Sequence, residues 1–410
     1  MKVWVKLFIG SVLGFILGML LPEANPTVNK IIEFLQKLAL GAGRYTAAPI
    51  LVFSLTIGIY ELRQDGRFWR LVFRTILILA AVSAAMIVLG ITAALVFSPE
   101  RIPILLDQSA EEIVFNPAQN ILNIFPSNMF AVFSGDGIYL FPLCVLAFFI
   151  ALGLSYDKNY TKPVLLFIDS LSRIFFHITT FFSEIFGLLI IIMAAYWAVQ
   201  YKSIVNVSVF KSIIKLLLIF SFIVGFLILP LLLFLLKKKQ KPWKTLYAVL
   251  GPAISAFFSG DLVFNIPVLF MHIKENLGIN RRSGSVTVAL WSTFGRGGSA
   301  MVAVVSFIVI LKSYSSLGIA FNDIITIGLH TLLLSFLLAG NSSNAVYIAL
   351  AALCSGYGHG FETGYLILKP IAFYLISIGT FLDVIIIALG SYTVAVLSGF
   401  YEERSMKRFI

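Results

Sequence analysis

Long apolar runs, separated by short polar segments, make up most of this chain. A run of roughly 20 apolar residues is enough to cross the hydrocarbon core of a bilayer. The pattern predicts membrane-spanning helices at about Val3–Leu21, Ala39–Tyr60 and Leu71–Phe97, and apolar runs return at Ile138–Leu154, Val164–Val199, Ile213–Leu236 and Leu246–Met271. We therefore expect an all-α integral membrane protein.

Polar and charged residues interrupt two apolar stretches between Ser255 and Phe307. The first interruption is Ser259-Gly260-Asp261, and the second is Gly295-Arg296-Gly297-Gly298. Unwound, charged backbone at membrane depth is tolerated where it is buried in protein or lines a cavity. The two interruptions therefore mark the candidate working site.

Composition narrows the class of protein. Hydrophobic residues make up 60% of the 410 residues and charged residues 12%, whereas a soluble protein carries about 25% charge. The net charge of +11 does not indicate nucleic-acid binding, because the lysines and arginines lie mostly in short loops between apolar runs. Cys144 and Cys354 lie inside apolar segments, which predicts two buried thiols and no disulfide. We find no nucleophile–base set, metal cluster or nucleotide loop, so a membrane enzyme is disfavoured and we expect no cofactor or metal.

The distribution of charge predicts the topology. Basic loops near Lys158, Lys244 and Arg281 and the basic end of the chain belong to one side, and by the positive-inside rule both termini are cytoplasmic. The first run ends at Pro22 without a small-residue cleavage pattern, so we expect it to be a retained helix. We expect one membrane domain, residues 1–410, in the cell (inner) membrane.

Two segments predict re-entrant hairpins that enter the membrane from opposite sides. The first, approximately 245–275, has its tip near Asp261, and the second, approximately 320–358, is interrupted by Gly340-Asn341-Ser342-Ser343-Asn344. Both flanks of each hairpin return to the same side of the membrane. Oppositely oriented hairpins are typical of an inverted-repeat transporter core.

Several motifs in order along the chain resemble the dicarboxylate/amino acid:cation symporter family, the glutamate transporter homologues. They are KLFIGSVLGFILGMLLP, AAPILVFSLTIGI, NIFPSNMF, AFFSGDLVFNIPV and LAGNSSNAVYIAL. The resemblance implies eight transmembrane helices plus two oppositely oriented hairpins, assembled as a homotrimer. It also implies a scaffold part, approximately 1–70 and 120–200, and a transport part, approximately 71–98 and 210–400, that moves as an elevator.

The resemblance places the family's site on this sequence, where most of the sodium-binding groups are missing. The sodium motif NMDGT falls on Gly295-Arg296-Gly297-Gly298-Ser299, and the aspartate for a substrate amino group falls on Asp383. In the same helix Ile386 replaces an arginine, Gly390 an asparagine and Val394 a sodium-binding aspartate. In the third predicted helix only Ser83 remains of the sodium-site residues.

The charged residues of the two interruptions lead to a hypothesis about which cation the transport site uses. Arg296 is a candidate built-in replacement for the missing cation, with Asp261 or Asp383 as its counter-ion. Alternatively, the Arg296 side chain extends to the membrane–water interface, and its glycine-rich surroundings serve only as a helix hinge. The alternative role of Asp261 is to cap the second arm of its hairpin. Ser259, Asn341, Ser342, Ser343 and Asn344 either bind substrate or satisfy backbone groups at the hairpin tips.

The sequence thus predicts a secondary active transporter of a small organic solute, an amino acid or a carboxylate, that is independent of sodium. Ile386 removes the family's reason to prefer acidic side chains, which favours a neutral amino acid or another small organic anion. The alternatives are a sodium- or proton-coupled symporter, and a relative that senses a solute or conducts anions without transport. The expected partners are the solute, the lipid bilayer and further copies of the chain.

Overall fold

The computed structural model describes residues 2–22, 25–103, 116–126, 128–133, 139–204, 207–236, 241–314, 319–340, 343–358 and 360–410. Within these residues the fold is helical, and the one extended pairing is an isolated bridge between Ile279 and Tyr401. The prediction of an all-α protein is confirmed.

The α-helices of the described residues follow one another along the chain with short connections. They are α1 Val3–Leu20, α2 Pro26–Arg44, α3 Ala47–Gln64, α4 Phe68–Phe97, α5 Pro117–Leu122, α6 Leu140–Tyr156, α7 Lys158–Lys202, α8 Val207–Ile223, α9 Leu229–Leu236, α10 Pro242–Ala248, α11 Leu250–Ser259, α12 Leu262–Glu275, α13 Arg281–Phe294, α14 Gly297–Tyr314, α15 Phe321–Leu337, α16 Ala345–Tyr357 and α17 Ala372–Ser398. A π-helical turn, Val224–Ile228, joins α8 to α9, and a 3₁₀ segment, Gly364–Ile371, leads into α17.

Seven helical segments of the described residues are long and apolar enough to cross a membrane, counting helices that run on from one another as one segment. The helix α6, with 17 residues, is a shorter apolar helix. The chain is therefore a multi-pass membrane protein, and the total of eight spanning helices stays a prediction.

The predicted second span, Ala39–Tyr60, was too short and missed a break. In the structure α2 begins at Pro26, where the Asn25 side chain accepts a hydrogen bond from Thr27 N at 3.0 Å, and α3 follows after Tyr45 and Thr46. Much of α2 is amphipathic, with polar residues on one face. The mean hydropathy of its first turns is therefore too low to predict a spanning helix there. The break leaves Arg44 as the last residue of α2.

Small residues on α1 allow it to pack closely on α7. A Cβ on Gly10 would lie 2.5 Å from the Gly187 carbonyl oxygen, and one on Gly14 would lie 2.9 Å from Ala194 Cβ. Such small-residue faces let two membrane helices approach backbone to backbone. The four-residue spacing of Gly10, Gly14 and Gly18 brings them onto the buried face of α1 that contacts α7.

Both predicted hairpin segments fold as pairs of short helices in contact. In the first pair α11 has 10 residues and α12 has 14, joined by Gly260, whose φ is +60°, and Asp261. In the second pair α15 contacts α16. The helices α11, α12 and α16 are each shorter than the roughly 20 residues of a membrane span, while the direction from which each pair enters the membrane stays a prediction.

The core of the molecule surrounds α14. This helix packs against α4, α16 and α17. In the spans Arg281–Tyr314 and Gly364–Ser398, 94% and 83% of an 18-residue apolar stretch is buried, the highest values among the seven. The second predicted interruption therefore lies in the most enclosed part of the described fold.

Candidate functional site

The helix break predicted at Gly295 is present, and it exposes the first backbone N–H groups of α14. α13 ends at Phe294, and Gly295 leaves helical geometry with ψ of +59° while its N–H still reaches the Trp291 carbonyl at 2.7 Å. The first N–H groups of a helix have no partner within the helix and carry a partial positive charge. Those of α14 point at α17.

Asp383 of α17 receives these groups. Its Oδ1 accepts hydrogen bonds from Gly298 N at 2.8 Å and Ser299 N at 3.0 Å, and its Oδ2 accepts one from Ser299 Oγ at 2.5 Å. The close approach requires glycine at position 298, because a Cβ there would lie 2.7 Å from Asp383 N and 2.9 Å from Asp383 Oδ1. Asp383 therefore anchors the start of α14, and both of its oxygens are already engaged.

Arg296 lies beside this carboxylate. Its side chain is 1% exposed, and Nη1 is 4.0 Å from Asp383 Oδ2. Its Nε and Nη2 have no hydrogen-bond acceptor among the described residues. Of the two counter-ions predicted from the sequence, Asp383 is the one within ion-pair distance. Arg296 is a buried cation with unused hydrogen-bond donors, and its side chain does not reach the protein surface.

Asp261 has a different partner. Its Oδ2 accepts from Arg44 Nη2 at 2.6 Å and its Oδ1 lies 3.3 Å from Arg44 Nε, while the same Oδ1 accepts from Phe264 N at 2.7 Å. The predicted capping role of Asp261 at α12 is therefore present. Arg44 was missed from the sequence, although a charged residue inside the apolar run Ala39–Tyr60 is a signal that a partner exists.

The two hairpin tips meet at a small cavity. It has a volume of about 190 Å³, and Ser259, Gly260 and Asp261 line it from the first tip, with Ser343 and Asn344 from the second. Arg44, Trp197 and Ser377 contribute to the remaining wall. Trp197 Nε1 donates a hydrogen bond to Ser377 Oγ at 3.0 Å. Polar groups from α2, both tips and α17 thus converge on one space.

The predicted site residues consequently form two groups. The tip cavity contains Ser259, Asp261, Ser343 and Asn344, whereas Arg296, Asp383, Ser299, Gly295 and Gly297 surround the helix break. Gly379 lies where the groups approach each other, since a Cβ there would lie 3.2 Å from Ser299 Cα and overlap Val346 of α16. Asn341 and Ser342 lie outside the described residues.

Three residues predicted in α17 are buried among apolar neighbours. Ile386 is 2% exposed, Val394 is 0% exposed, and a Cβ on Gly390 would overlap the Trp291 ring. All three pack in the apolar core. Ser83, also buried, lies near the break, because a Cβ on Gly297 would be 3.4 Å from Ser83 Oγ.

Side-chain oxygens near the break come from Asp383, Ser299 and Ser83. Hard cations are bound by several oxygen ligands, including carboxylates. Asp383 is the carboxylate at this place, and its oxygens already accept three hydrogen bonds from α14. Gly295 and Gly297 offer no side-chain oxygen. The positive charge in this region belongs to Arg296.

Comparison with known proteins gives the family. A profile of the sodium:dicarboxylate symporter family matches residues 3–397. The chain belongs to this family. The resemblance noted in the sequence is thereby confirmed, and the protein is a membrane transporter rather than an enzyme, because the family consists of symporters.

Similar members of the sodium:dicarboxylate symporter family are divergent in sequence. The proton/sodium-glutamate symport protein of Bacillus subtilis (strain 168) is 24% identical over 323 residues, covering 75% of this chain and 73% of its own. The serine/threonine transporter SstT of Enterococcus faecalis is 27% identical over 395 residues, covering 93% and 85%. SstT of Acinetobacter baylyi is 25% identical over 402 residues, covering 95% and 90%.

Proposed function

We propose that this chain is a secondary active transporter of a small amino acid or carboxylate that works without sodium, with Arg296 in place of a bound cation. The observation that carries the proposal is the burial of Arg296 against Asp383 at the break between α13 and α14. This is the position onto which the resemblance maps the sodium motif of the family.

Charge balance supports a fixed cation at this position. An isolated charge deep in a membrane costs at least about 2.5–3.5 kcal/mol, so a buried carboxylate requires a compensating charge. A sodium-dependent carrier obtains that charge when the ion binds. Here the Arg296 guanidinium and the N-terminal end of α14 supply it permanently, so the carboxylate of Asp383 is compensated whether or not sodium is available.

The solute is proposed to bind between the hairpin tips. A cavity of about 190 Å³ is smaller than the roughly 300–1,000 Å³ typical of drug-sized ligands, which favours a solute of amino-acid size. Its lining offers hydroxyl and amide groups from Ser259, Ser343 and Asn344. The free N–H groups of Arg296 are suited to a carboxylate that enters from this side.

A neutral amino acid is the favoured solute. Ile386 stands where the family has an arginine for acidic side chains, and it is buried in the core. Two relatives that cover more than nine tenths of this chain are named serine/threonine transporters. The alternative is a symporter that couples solute uptake to sodium or protons, since another relative is named a proton/sodium-glutamate symport protein.

We further propose the elevator arrangement. Residues 1–70 and 120–200 would form the scaffold, and residues 71–98 and 210–400 would form the transport part, in a homotrimer with both termini cytoplasmic in the cell (inner) membrane. Arg44–Asp261 and Trp197–Ser377 are contacts between the two parts. They would have to break and re-form as the transport part moves.

Uptake into liposomes tests the proposal. Purified protein is reconstituted, and the uptake of labelled neutral amino acids and small carboxylates is measured with external sodium or with choline in its place. We expect saturable uptake, or exchange against internal solute, that is unchanged by the replacement. Sodium-stimulated, saturable uptake would refute sodium independence, and the absence of both uptake and exchange for every solute would favour a sensor or a conducting relative.

Two variants separate the charge of Arg296 from its other properties. Arg296→Met removes the charge and should abolish uptake, in choline and in sodium, whereas Arg296→Lys keeps the charge and should retain part of it. Met and Lys have similar side-chain lengths, so the pair controls for volume. If Arg296→Met transported as well as the unmodified protein, the tethered-cation role would be wrong.

A further inference from the structure

Three arginines form a basic cavity at the start of α4, and this cavity shares no lining residue with the tip cavity. Arg67 precedes the helix, and Arg70 and Arg74 follow at spacings that place all three on one face. They line a cavity of about 210 Å³ that Ser398 and Phe400, at the end of α17, close from the other side. The transport proposal assigns this cavity no role.

The part of the chain that the structure describes offers the three guanidinium groups no acidic partner. Among the described residues no carboxylate lies within 4.0 Å of Arg67, Arg70 or Arg74, and the nearby Asp65 is paired with Arg282. A cluster of like charges repels itself, so it is stabilised when an anion binds. The cavity therefore has the electrostatic properties of an anion site.

Two of the arginines are held in place by their surroundings. Arg74 Nη1 donates to the Leu397 carbonyl at 3.0 Å and to Ser398 Oγ at 3.3 Å. The Arg67 guanidinium lies 5.7 Å from the centre of the Phe400 ring, within the range of a cation–π contact. Side chains fixed in this way lose less conformational entropy when they bind a ligand.

The neighbouring face of α4 indicates the depth of the cavity in the membrane. Trp69, Phe73 and Leu77 are 70%, 69% and 56% exposed, and on a membrane helix exposed apolar side chains face lipid. Tryptophan is enriched at the level of the lipid headgroups. Trp69 therefore places the adjacent Arg70, and with it the basic cavity, at the headgroup layer.

We propose that this basic cavity binds the phosphate of an anionic phospholipid headgroup. Arginine binds phosphate oxygens in a bidentate manner, and basic pockets between membrane helices are suited to such headgroups. Free inorganic phosphate has the same chemistry. The exposed apolar face beside the cavity favours the lipid, because the acyl chains can lie along Phe73 and Leu77.

Native mass spectrometry of the full-length protein in mild detergent tests this. The protein is incubated with phosphatidylglycerol or with phosphatidylcholine, and the lipid retained on each protomer is counted. The test variant is Arg67→Gln with Arg70→Gln, and Arg74 is kept because it holds the end of α17. The control is Arg63→Gln, which removes one positive charge from an exposed position in the last turn of α3.

We expect the unmodified protein and Arg63→Gln to retain phosphatidylglycerol in preference to phosphatidylcholine. The double variant should lose that preference by roughly tenfold or more at an unchanged melting temperature. Equal retention by the double variant would overturn the proposal. Competition with millimolar inorganic phosphate distinguishes the sources: if phosphate displaces the lipid and protects the unmodified protein equally well against heat, the lipid assignment is wrong.

Discussion

Arg44 and Asp261 join the end of α2 to the tip of the first hairpin through two atom pairs, at 2.6 Å and 3.3 Å. The Asp261 side chain is 2% exposed and that of Arg44 is 20% exposed. The same carboxylate caps α12 by accepting from Phe264 N. One aspartate thus determines both where α12 begins and where the tip lies against α2.

This double role predicts unequal effects of removing each partner. Arg44→Gln leaves a buried carboxylate without its counter-ion, and losing one partner of a buried pair costs about 3–5 kcal/mol. Asp261→Asn should cost less, because asparagine still caps a helix and Arg44 has some access to solvent. The measurement is the free energy of unfolding in a denaturing-detergent titration, with Arg63→Gln as the surface control. Strict additivity in the double variant would contradict direct coupling of the two side chains.

The hydroxyl of Ser299 should contribute measurably to stability. Its hydrogen bond to Asp383 Oδ2, at 2.5 Å, involves a charged acceptor, and such bonds contribute about 1.5–3 kcal/mol. Ser306 is the matched control, since it lies on the same helix, is also buried and has no hydrogen-bond partner among the described residues. We expect Ser299→Ala to lower the melting temperature and Ser306→Ala to leave it unchanged or raise it. Equal effects would show that the anchoring of α14 by Asp383 does not depend on this hydroxyl.

Gly298→Ala tests the close approach of α14 to α17. The added methyl group would lie 2.7 Å from Asp383 N, so the helices must separate and the three hydrogen bonds to Asp383 must lengthen. Overpacking of this kind costs about 1–3 kcal/mol or more, and we expect transport to be lost as well. The control is Gly153→Ala on α6, where a Cβ meets nothing within 4 Å. There the higher helix propensity of alanine should stabilise the protein by up to about 1 kcal/mol.

Sequence patterns predicted some of these features and missed others, for identifiable reasons. The breaks at Gly260 and Gly295 and the small face at Gly10 are local features, because an interrupted apolar run or a spacing of four appears within one segment. The pairing of Arg44 with Asp261 joins residues 217 positions apart, and the sequence shows only that each charge needs some partner.

The resemblance to the family predicted which residues lie deep in the protein, but it did not predict what those residues contact. Asp383 is deep in the protein as expected, yet its oxygens serve the N-terminus of α14, and this depends on how closely two helices approach at Gly298. Gly390 corresponds to a binding position by alignment, but it packs on Trp291. Helix packing at this scale is decided by side-chain volumes on both helices, which a single sequence does not reveal.

The proposed movement of the transport part predicts that a disulfide between α2 and α12 will arrest transport. A Cβ on Gly43 would lie 3.0 Å from Phe264 Cγ, so the two Cβ atoms are at most about 4.5 Å apart, the upper end of disulfide geometry. Gly43→Cys with Phe264→Cys, made after Cys144 and Cys354 are replaced by alanine, should lose uptake on oxidation and regain it on reduction. The control, Ser54→Cys with Ser172→Cys, replaces two hydroxyl groups of α3 and α7 whose oxygens are 3.0 Å apart. It links two helices within the proposed scaffold and should transport in both states. Mass spectrometry must show that the oxidised Gly43→Cys, Phe264→Cys variant is fully cross-linked. If this cross-linked protein still transports as fast as the reduced protein, then α12 does not move relative to α2 during transport. The elevator proposal would then be wrong.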